Sequence, residues 1–386
     1  MKELSHGVAW LAGEASADLL AARVLPHLQA AMGGALQYGI GGPRMIEAGL
    51  TSWYPSERLA VRGYVEVLKK IPALLKLRHD VIERVKAAHP RVFIGVDAPD
   101  FNLAIEGRLR AAGIPTVHFV SPSIWAWRPE RIETMRRNVD MTLLIFPMEE
   151  KIYRDAGVPA VYIGHPLAPM IPMEPDTEGA RRLLAIDSRG EPVIAVLPGS
   201  RIDEVKGCAP IFFEACERMV KRLGGGYFVV PAVDQARRDQ IERVVLGGYP
   251  LLQGRLKVVT GQSHRVLESA DGVMVASGTA ALEAALFKKP MVVGYTMPGI
   301  SAMLIRKKGL IPYVSLPNIL AGEPLVPEFL HYYCKPDWIA SRLIDEMRPE
   351  RSDYLKKRFT VMHESLLRPT EQLALEAILG VMRPLR

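Results

Sequence analysis

The sequence predicts an α/β protein built from two doubly wound domains. Short runs of β-branched and aliphatic residues recur along the chain, and stretches with helical spacing of apolar residues lie between them. Strands that are apolar throughout and alternate with helices are typical of parallel sheets that carry helices on both faces. The length of 386 residues allows two or three domains, each with its own hydrophobic core.

Ten apolar runs are the candidate strands, and their residue types favour extended structure. In chain order they cover residues 8–12, 36–40, 92–96, 116–120, 141–146, 193–197, 227–230, 256–259, 272–275 and 291–295. The clearest amphipathic helical stretches are residues 18–31, 103–111, 211–222 and 279–287. The last stretch, residues 338–386, is predicted to be helical without a further strand.

A proline-rich segment marks the predicted domain boundary. Pro166, Pro169, Pro172 and Pro175 follow one another at intervals of three residues, which prevents helix formation and sheet pairing and favours a stiff connector. We therefore expect one domain over residues 1–168 and another over 178–364. Helices at about 365–386 are expected to pack back on the first domain or on a partner chain. Ligands are expected in a cleft between the domains, outside the carboxyl ends of the strands.

The composition limits the class of protein and its partners. Hydrophobic residues make up 49% and charged residues 24%, which excludes a disordered or fibrous chain. Lys and Arg number 49 against 42 Asp and Glu, and the net charge of +7 favours anionic partners without choosing among phosphates, nucleic acid and acidic membranes. Three unpaired cysteines support neither a disulfide framework nor a zinc site, and fit a reducing cytoplasm. Since no apolar run reaches bilayer-spanning length, any membrane contact is expected to be peripheral.

Two turns in the first half contain candidate ligand-binding residues. Glu14 follows the first predicted strand, and Ser16 lies where it could cap the next helix. Alternatively, Ser16 is only a cap and Glu14 a solvated loop residue. Gly41 and Gly42 begin a turn that ends at Met45 and is rich in N–H groups that could cradle an anion. An ordinary tight turn would contain the same glycines.

Asp97 is the strongest catalytic candidate of the first half. It ends an otherwise apolar strand, where an unpaired carboxylate is costly unless it has a functional or hydrogen-bonding reason. Asp100 precedes a helix and is interpreted as its N-cap. Trp125 and Trp127 follow the next strand; packing is favoured for Trp127, whereas packing and ligand contact both stay open for Trp125.

Two glycine turns in the second half point to a bound phosphate. Gly199, Ser200 and Arg201 follow a predicted strand, and this combination suits a diphosphate clamped by the guanidinium. The alternative is that Arg201 pairs with Asp203 or Glu204 at the helix start.

The second of these turns leads into a helix. Ser277, Gly278, Thr279 and Ala280 feed its N-terminus, where aligned N–H groups favour phosphate. Glu283 lies one helical turn further and could accept hydrogen bonds from ribose hydroxyls, or else lie on the helix surface.

Taken together, the segments resemble the lipid-A-disaccharide synthases, the glycosyltransferases of bacterial outer-membrane lipid A assembly. The resemblance rests on residues 12–16, 41–45, 65–68, 97–102, 120–128, 164–166, 197–201, 277–283 and 315–318. It implies the two-domain GT-B fold and inverting transfer of 2,3-diacylglucosamine from UDP to 2,3-diacylglucosamine 1-phosphate, with release of UDP.

The resemblance also implies roles for single residues. It implies that Asp97 is the general base and that Arg201 assists the departing diphosphate. If Asp97 is not the base, Glu14 is our next candidate. It implies that Glu283 and Asn318 help to hold the nucleotide. It requires no cofactor, and because the chain lacks a close Asp-x-Asp pair for a divalent ion, we expect metal-independent activity.

The acceptor side and the surroundings follow from the same resemblance. The expected acceptor-side residues are Ser16, Gly41, Gly42, Met45 and Trp125. Ala17 departs from the glycine usual in the family, and its methyl group is expected to narrow this side. The expected location is the cytoplasmic face of the inner membrane, without nucleic acid as a partner; the formation of a homodimer is left open.

Two other functions remain open from the sequence. An enzyme like UDP-N-acetylglucosamine epimerase would keep the segment around Glu283 but would not need a basic, apolar surface. A non-catalytic binder of anionic lipid or RNA would explain the charge and would leave Asp97 without a role.

A membrane patch is predicted in the stretch before Pro72, where apolar and basic side chains are interleaved. Its members are Val65, Leu68, Lys69, Lys70 and Ile71. Alternatively, the lysines are only solvated. Pro72 is expected to open a second helix whose apolar face packs on the sheet.

Overall fold

Two parallel sheets, one in each of two units, form the protein. The computed structural model describes residues 7–56, 59, 64–126, 128–246, 248–296 and 312–382, with only the backbone at residues 15 and 64–70. The first unit comprises Met1–Pro166 together with Leu366–Arg386, and the second comprises Leu167–Ser365. The assignment of acceptor binding to the first domain and sugar-nucleotide binding to the second stays a prediction.

Seven parallel strands make up the sheet of the first unit within the described residues, in the order β3-β2-β1-β4-β5-β6-β7. The strands are β1 Val8–Ala12, β2 Gln37–Ile40, β3 Leu50–Ser52, β4 Val92–Val96, β5 Thr116–Phe119, β6 Met141–Leu144 and β7 Ala160–Tyr162. The helices between them are α1 Ala15–Ala31, α2 Pro43–Glu47, α3 Tyr64–Ala88, α4 Pro99–Ala111, α5 Arg131–Asn138 and α6 Glu149–Asp155.

The described part of the second unit has a six-stranded parallel sheet in the order β10-β9-β8-β11-β12-β13. Its strands are β8 Val193–Leu197, β9 Tyr227–Ala232, β10 Leu256–Thr260, β11 Gly272–Val275, β12 Met291–Tyr295 and β13 Glu328–Leu330. Its helices are α7 Thr177–Leu183, α8 Ile202–Leu223, α9 Gln235–Leu246, α10 Ser263–Ser269, α11 Thr279–Leu286, α12 Leu316–Ala321, α13 Pro336–Glu346 and α14 Pro349–Leu366. The last helix, α15 Thr370–Val381, belongs to the first unit.

Burial of the central strands explains the apolar runs of the sequence. Every residue of β1, β4 and β8 is buried, as expected for strands with helices on both faces. The polar side-chain group of β1 is the indole N–H of Trp10, and it has a partner: Nε1 donates to Oε1 of Gln37 at 2.7 Å. The prediction of doubly wound α/β units is therefore confirmed.

Three strands lack a sequence signal. β3, β7 and β13 have three residues each and lie at sheet edges. A run of three residues is too short to show a period, so only pairing with the neighbouring strand identifies them.

The expected helix start at Pro72 is wrong. Pro72 lies inside α3, which runs without a break from Tyr64 to Ala88. Leu77, Val81 and Val85 pack in the core of the first unit, and such tertiary packing overrides the local preference of proline for a first turn.

The predicted membrane patch lies largely outside the described side chains. The backbone of α3 includes Val65, Leu68, Lys69 and Lys70, but the structure describes none of their side chains. Ile71, the fifth member, is 38% exposed. No helix in the described ranges combines the length and hydropathy needed to cross a bilayer.

The proline-rich connector is fastened to the second unit. Buried Lys288 contacts the carbonyl of Pro172 at 3.1 Å and Nδ1 of His363 at 2.7 Å. Nε2 of His363 lies 2.7 Å from the carbonyl of Ala168. Since Nδ1 accepts from the ammonium while Nε2 donates to the carbonyl, the ring is neutral, and burial lowers the pKa of His363.

Candidate functional site

The strand order places the candidate residues at two switch points. In each sheet the order of connection reverses beside the first strand, between β1 and β4 and between β8 and β11. Ligands of doubly wound sheets bind outside the carboxyl ends of such strands. Glu14 follows β1 and Asp97 follows β4, whereas Gly199 follows β8 and Ser277 follows β11 closely.

A cavity of about 470 Å³ lies at the switch point of the second unit. Eight of the nine residues predicted on the nucleotide side line it: Gly199, Ser200, Arg201, Ser277, Gly278, Thr279, Ala280 and Glu283. Residues that the sequence did not indicate also line it, among them Pro231, Val233, Gly261 and Ser263. They lie at or just after the ends of β9 and β10, which only the strand order brings to the same side of β8.

The N-terminus of α11 is open toward this cavity. Gly278 precedes the helix with φ 140°, a backbone conformation that favours glycine. Among the described residues no group accepts a hydrogen bond from the N–H of Gly278, Thr279 or Ala280. Unsatisfied N–H groups and the helix dipole together attract an anion.

The glycine turn after β8 holds a carboxylate of the chain itself. Oε2 of Glu204 accepts from the N–H groups of Ser200 and Arg201 at 3.0 and 3.2 Å. Oε1 of Glu204 lies 3.0 Å from the guanidinium of Arg201. The pairing considered as an alternative is therefore present. A Cβ at Gly199 (φ 113°) would lie 2.5 Å from Cβ of Glu204, which explains the glycine.

Glu283 faces the cavity, not bulk solvent. Its side chain is 17% exposed, and Oε2 lies 3.5 Å from Nε2 of His264. The His264 ring in turn packs edge-on against Phe287, with centroids 5.5 Å apart. No local motif indicated His264, because α10 precedes β11 in the chain and meets Glu283 only in the fold.

Asn318 does not reach the cavity lining. Its Nδ2 donates to the carbonyl of Val326 at 2.8 Å and to Oε1 of Glu328 at 2.9 Å, while Oδ1 accepts from the N–H of Val326 at 2.8 Å. Asn318 is 1% exposed. The buried amide ties α12 to the segment before β13, and the nucleotide contact expected of Asn318 stays a prediction.

The glycine turn after β2 is likewise filled by a carboxylate of the chain. Asp18 accepts from the N–H groups of Arg44 and Met45 at 3.1 and 3.0 Å. A Cβ at Gly42 would lie 2.6 Å from Cγ of Asp18, and one at Gly41 would lie 2.7 Å from the sulfur of Met45. The expected anion cradle is therefore corrected to an internal cap, with Met45 fully buried beneath it.

The start of α1 also differs from expectation. Glu14 is the N-cap residue and is exposed, whereas Ser16 lies inside the first turn and caps nothing. Ala17 is 1% exposed, so its methyl group lies in the core of the unit. Of this segment, the side chains of Glu14 and Ser16 are accessible to a ligand.

Asp97 sits on a strained turn at the end of β4. It has φ 54° and Ala98 has φ 43°, both in the left-handed region. The N–H of Asp97 donates to the carbonyl of Phe119 at 2.8 Å. No described donor bonds its half-buried carboxylate. The N-cap residue of α4 is Ala98, so the expectation for Asp100 is corrected; its carboxylate pairs with Arg131.

Trp125 is packed by two neighbours. Its Nε1 donates to Oε1 of Glu149 at 3.1 Å, and its ring lies edge-on to Phe146 with centroids 6.3 Å apart. Glu149 is 1% exposed, and burial raises the pKa of its carboxyl to about 7. Trp127 lies outside the described residues.

Within the described ranges, no group of three or more His, Cys, Asp or Glu side chains could hold a metal ion. At the cavity of the second unit, two groups could hold a diphosphate. They are the N-terminus of α11 and the guanidinium of Arg201, whose side chain is 81% exposed.

We predict that Glu149 makes stability depend on pH. Its pKa is raised in the folded state, so its contribution is fully present below the ordinary carboxyl pKa and is lost as the pH rises toward about 7. Relative to Glu149→Gln, the wild type should therefore lose melting temperature between about pH 5 and about pH 8. Glu150→Gln, at the exposed neighbouring position, is the control. Parallel melting curves for wild type and Glu149→Gln would contradict the prediction.

Comparison with known proteins gives a family match over nearly the whole chain. The sequence model of the lipid-A-disaccharide synthetase family matches residues 8–379. The lipid-A-disaccharide synthase of Paraburkholderia phymatum is 46% identical over 381 residues, covering 98% of this chain and 97% of that protein. The synthase of Thiobacillus denitrificans is 48% identical over 334 residues, covering 86% and 88%.

Solved structures share the fold at low identity. UDP-GlcNAc 2-epimerase from Neisseria meningitidis, solved with UDP-GlcNAc, has a TM-score of 0.65 at 10% identity and covers 97% of this chain and 100% of its own. MurG from Acinetobacter baumannii has a TM-score of 0.56 at 13% identity, with 97% and 99% covered. At such identities the likeness concerns the fold alone, and it confirms two Rossmann-like domains of the GT-B type.

Proposed function

The chain belongs to the lipid-A-disaccharide synthase family, and from this premise we propose how its two units share the reaction. It is a glycosyltransferase that joins two acylated glucosamine units into the lipid A disaccharide. The second unit binds UDP-2,3-diacylglucosamine, and the carboxyl edge of the first sheet binds 2,3-diacylglucosamine 1-phosphate. The observation that carries the proposal is the cavity at the β8/β11 switch point, which gathers eight of the nine residues expected on the nucleotide side.

On the donor side, the diphosphate meets two groups. The free N–H groups before and within the first turn of α11 donate hydrogen bonds to the phosphate oxygens, and the helix dipole adds to the attraction. The exposed guanidinium of Arg201 leaves its ion pair with Glu204 and binds the diphosphate. It then stabilises the negative charge that develops on the leaving UDP. Glu283, half-buried in the same cavity, accepts hydrogen bonds from the ribose hydroxyls.

On the acceptor side, Asp97 takes the proton from the attacking sugar hydroxyl. The hydroxyl oxygen forms a bond to the anomeric carbon while the bond from that carbon to the UDP oxygen breaks, so attack from the opposite face inverts the configuration. A carboxylate without a described partner is free to accept this proton. Glu14 stands at the end of β1, beside β4, and is the second candidate.

The alternatives are not favoured. The likeness to the epimerase stands at 10% identity, whereas the synthase relatives stand at 46–48% over most of the chain. A non-catalytic lipid or RNA binder would have no use for the cavity and for Asp97 together.

We also place a peripheral membrane contact at the N-terminal part of α3, on the cytoplasmic face of the inner membrane. Both substrates are acylated and must be collected from a bilayer. Ile71 and Leu75 are 38% and 49% exposed. Apolar side chains next to Lys69 and Lys70 suit an anionic interface, where each basic residue adds about 1 kcal/mol. The formation of a homodimer stays open.

Asp97→Asn should fold and bind UDP but lose about a hundred- to ten-thousandfold in turnover, since that is what a general base typically contributes. The measurement is UDP release with and without the acylated acceptor. Asp100→Asn, the same change at an exposed carboxylate three residues on, should keep wild-type turnover. Acceptor-dependent UDP release by Asp97→Asn at the wild-type rate would exclude Asp97 as the base.

Arg201→Ala should weaken UDP binding and turnover together, because the guanidinium is expected to contact the diphosphate both in bound UDP and in the transition state. Arg189→Ala, at an 84% exposed arginine of the same unit, is the control.

Wild-type turnover should persist in EDTA, since Arg201 and the N-terminus of α11 are expected to neutralise the charge of the diphosphate. A loss in EDTA that added magnesium restores would contradict this account.

Binding to anionic vesicles should be salt-sensitive and should weaken in the double variant Lys69→Glu with Lys70→Glu. Lys356→Glu with Lys357→Glu makes the same charge change on exposed positions of α14 and should leave sedimentation unchanged. Equal sedimentation of the wild type and the Lys69/Lys70 variant at low salt would rule out this position for the membrane contact.

A further inference from the structure

The backbone at Asp97 needs a clamp. Asp97 and Ala98 both have positive φ, and consecutive non-glycine residues in the left-handed region persist only where the surrounding structure fixes them. The hydrogen bond from the N–H of Asp97 to Phe119 fixes one side of the Asp97 peptide. The carbonyl of Asp97 on the other side is held by Asn102.

Asn102 points its amide at the strand ends. Its Nδ2 donates to the carbonyl of Asp97 at 2.7 Å and lies 3.3 Å from that of Val96 and 3.5 Å from that of Leu11. Three carbonyl oxygens around one atom identify that atom as the amide nitrogen. The backbone N–H of Asn102 also bonds the carbonyl of Ala98 at 3.0 Å. One residue of α4 thus holds both left-handed residues.

Gly95 makes this approach sterically feasible. A Cβ on Gly95 would lie 3.1 Å from Cβ and Cγ of Asn102 and 2.2 Å from Oε1 of Glu106. Because β4 carries glycine at this position, the first two turns of α4 come close enough for the amide to reach the end of the sheet.

The amide is not explained by stability alone. Asn102 is fully buried, and its Oδ1 has no hydrogen-bond partner among the described residues. Burying an unsatisfied acceptor opposes folding. The shortest donor bond of the amide, at 2.7 Å, goes to the Asp97 carbonyl and acts on the conformation of one turn.

We propose that Asn102 is a positioning residue for Asp97: by holding the Asp97 carbonyl, its amide sets the left-handed turn that aims the carboxylate at the acceptor hydroxyl. This inference rests on the proposed role of Asp97 as general base. Asn102 itself does not contact the substrate.

The test uses Asn102→Leu, which keeps the number and branching of the side-chain heavy atoms and removes the donor. Turnover should fall about ten- to a hundredfold, the scale expected when a reacting group is misplaced by about 1 Å. The KM values of both substrates and the affinity for UDP should stay within about twofold of wild type, because no binding contact is lost. Asn102→Ser, whose side chain is too short to reach the Asp97 carbonyl, should lose turnover in the same way. It provides the test if the leucine variant folds poorly.

Asn138→Leu is the matched control. Its Nδ2 also donates to a backbone carbonyl of α4, that of Leu103, at 2.7 Å. This variant should lose melting temperature and keep wild-type turnover.

The decisive measurement is the double variant with Asp97→Asn, assayed at enzyme concentrations that quantify its residual turnover. If Asn102 acts through Asp97, adding Asn102→Leu should cost no more than about twofold. Wild-type turnover of Asp97→Asn would overturn the base assignment itself. With Asp97→Asn impaired, unchanged turnover of both Asn102 variants, or losses that multiply in the double variant, would overturn the positioning role and leave the base in place.

Discussion

The reversal of strand order beside the first strand of each sheet is the constraint on which the candidate site depends. In a doubly wound sheet the chain moves outward from β1 in one direction and then returns to add β4 on the other side, and β8 and β11 repeat this arrangement. The loops after these adjacent strands diverge to opposite faces, so the carboxyl ends between them stay open. Glu14 and Asp97 stand at one opening, and the turns at Gly199 and Ser277 stand at the other.

Whether an open strand end can bind an anion depends on what already occupies its N–H groups. After β2, Asp18 caps the N–H groups of Arg44 and Met45, so the glycine turn there is closed internally. After β8, Glu204 occupies the turn but is tied to Arg201, which is mostly exposed and free to exchange partners. The N-terminus of α11 holds no carboxylate of the described chain. The three turns have similar sequences, but they differ in whether a carboxylate of the described chain occupies their N–H groups and in which one does.

The edge of the first sheet where Asp97 lies combines local strain with buried polar contacts. Left-handed conformations at Asp97 and Ala98 cost about 1–3 kcal/mol each, and the bonds to Phe119 and Asn102 offset part of that cost. Two strands further along the sheet, Glu149 is buried against Trp125 with a carboxyl pKa of about 7. Both features favour a fixed geometry over maximal stability, as is common where side chains must meet a ligand.

The sequence by itself determined the α/β class, most of the strands and eight residues of the cavity, because buried parallel strands are uniformly apolar and the residues that follow them lie at one edge of a sheet. It could not determine the order of the strands or the edge strands of three residues, since pairing is a long-range property. It also could not decide the fate of individual polar groups. The Asp18 carboxylate packs against Gly42, and Asn318 bonds to Glu328 and Val326, because the fold brings together residues that are distant in the chain. Ser16 caps nothing, because the helix begins earlier than expected. A side chain's chemistry is local, whereas the partner that satisfies it is brought by the tertiary fold.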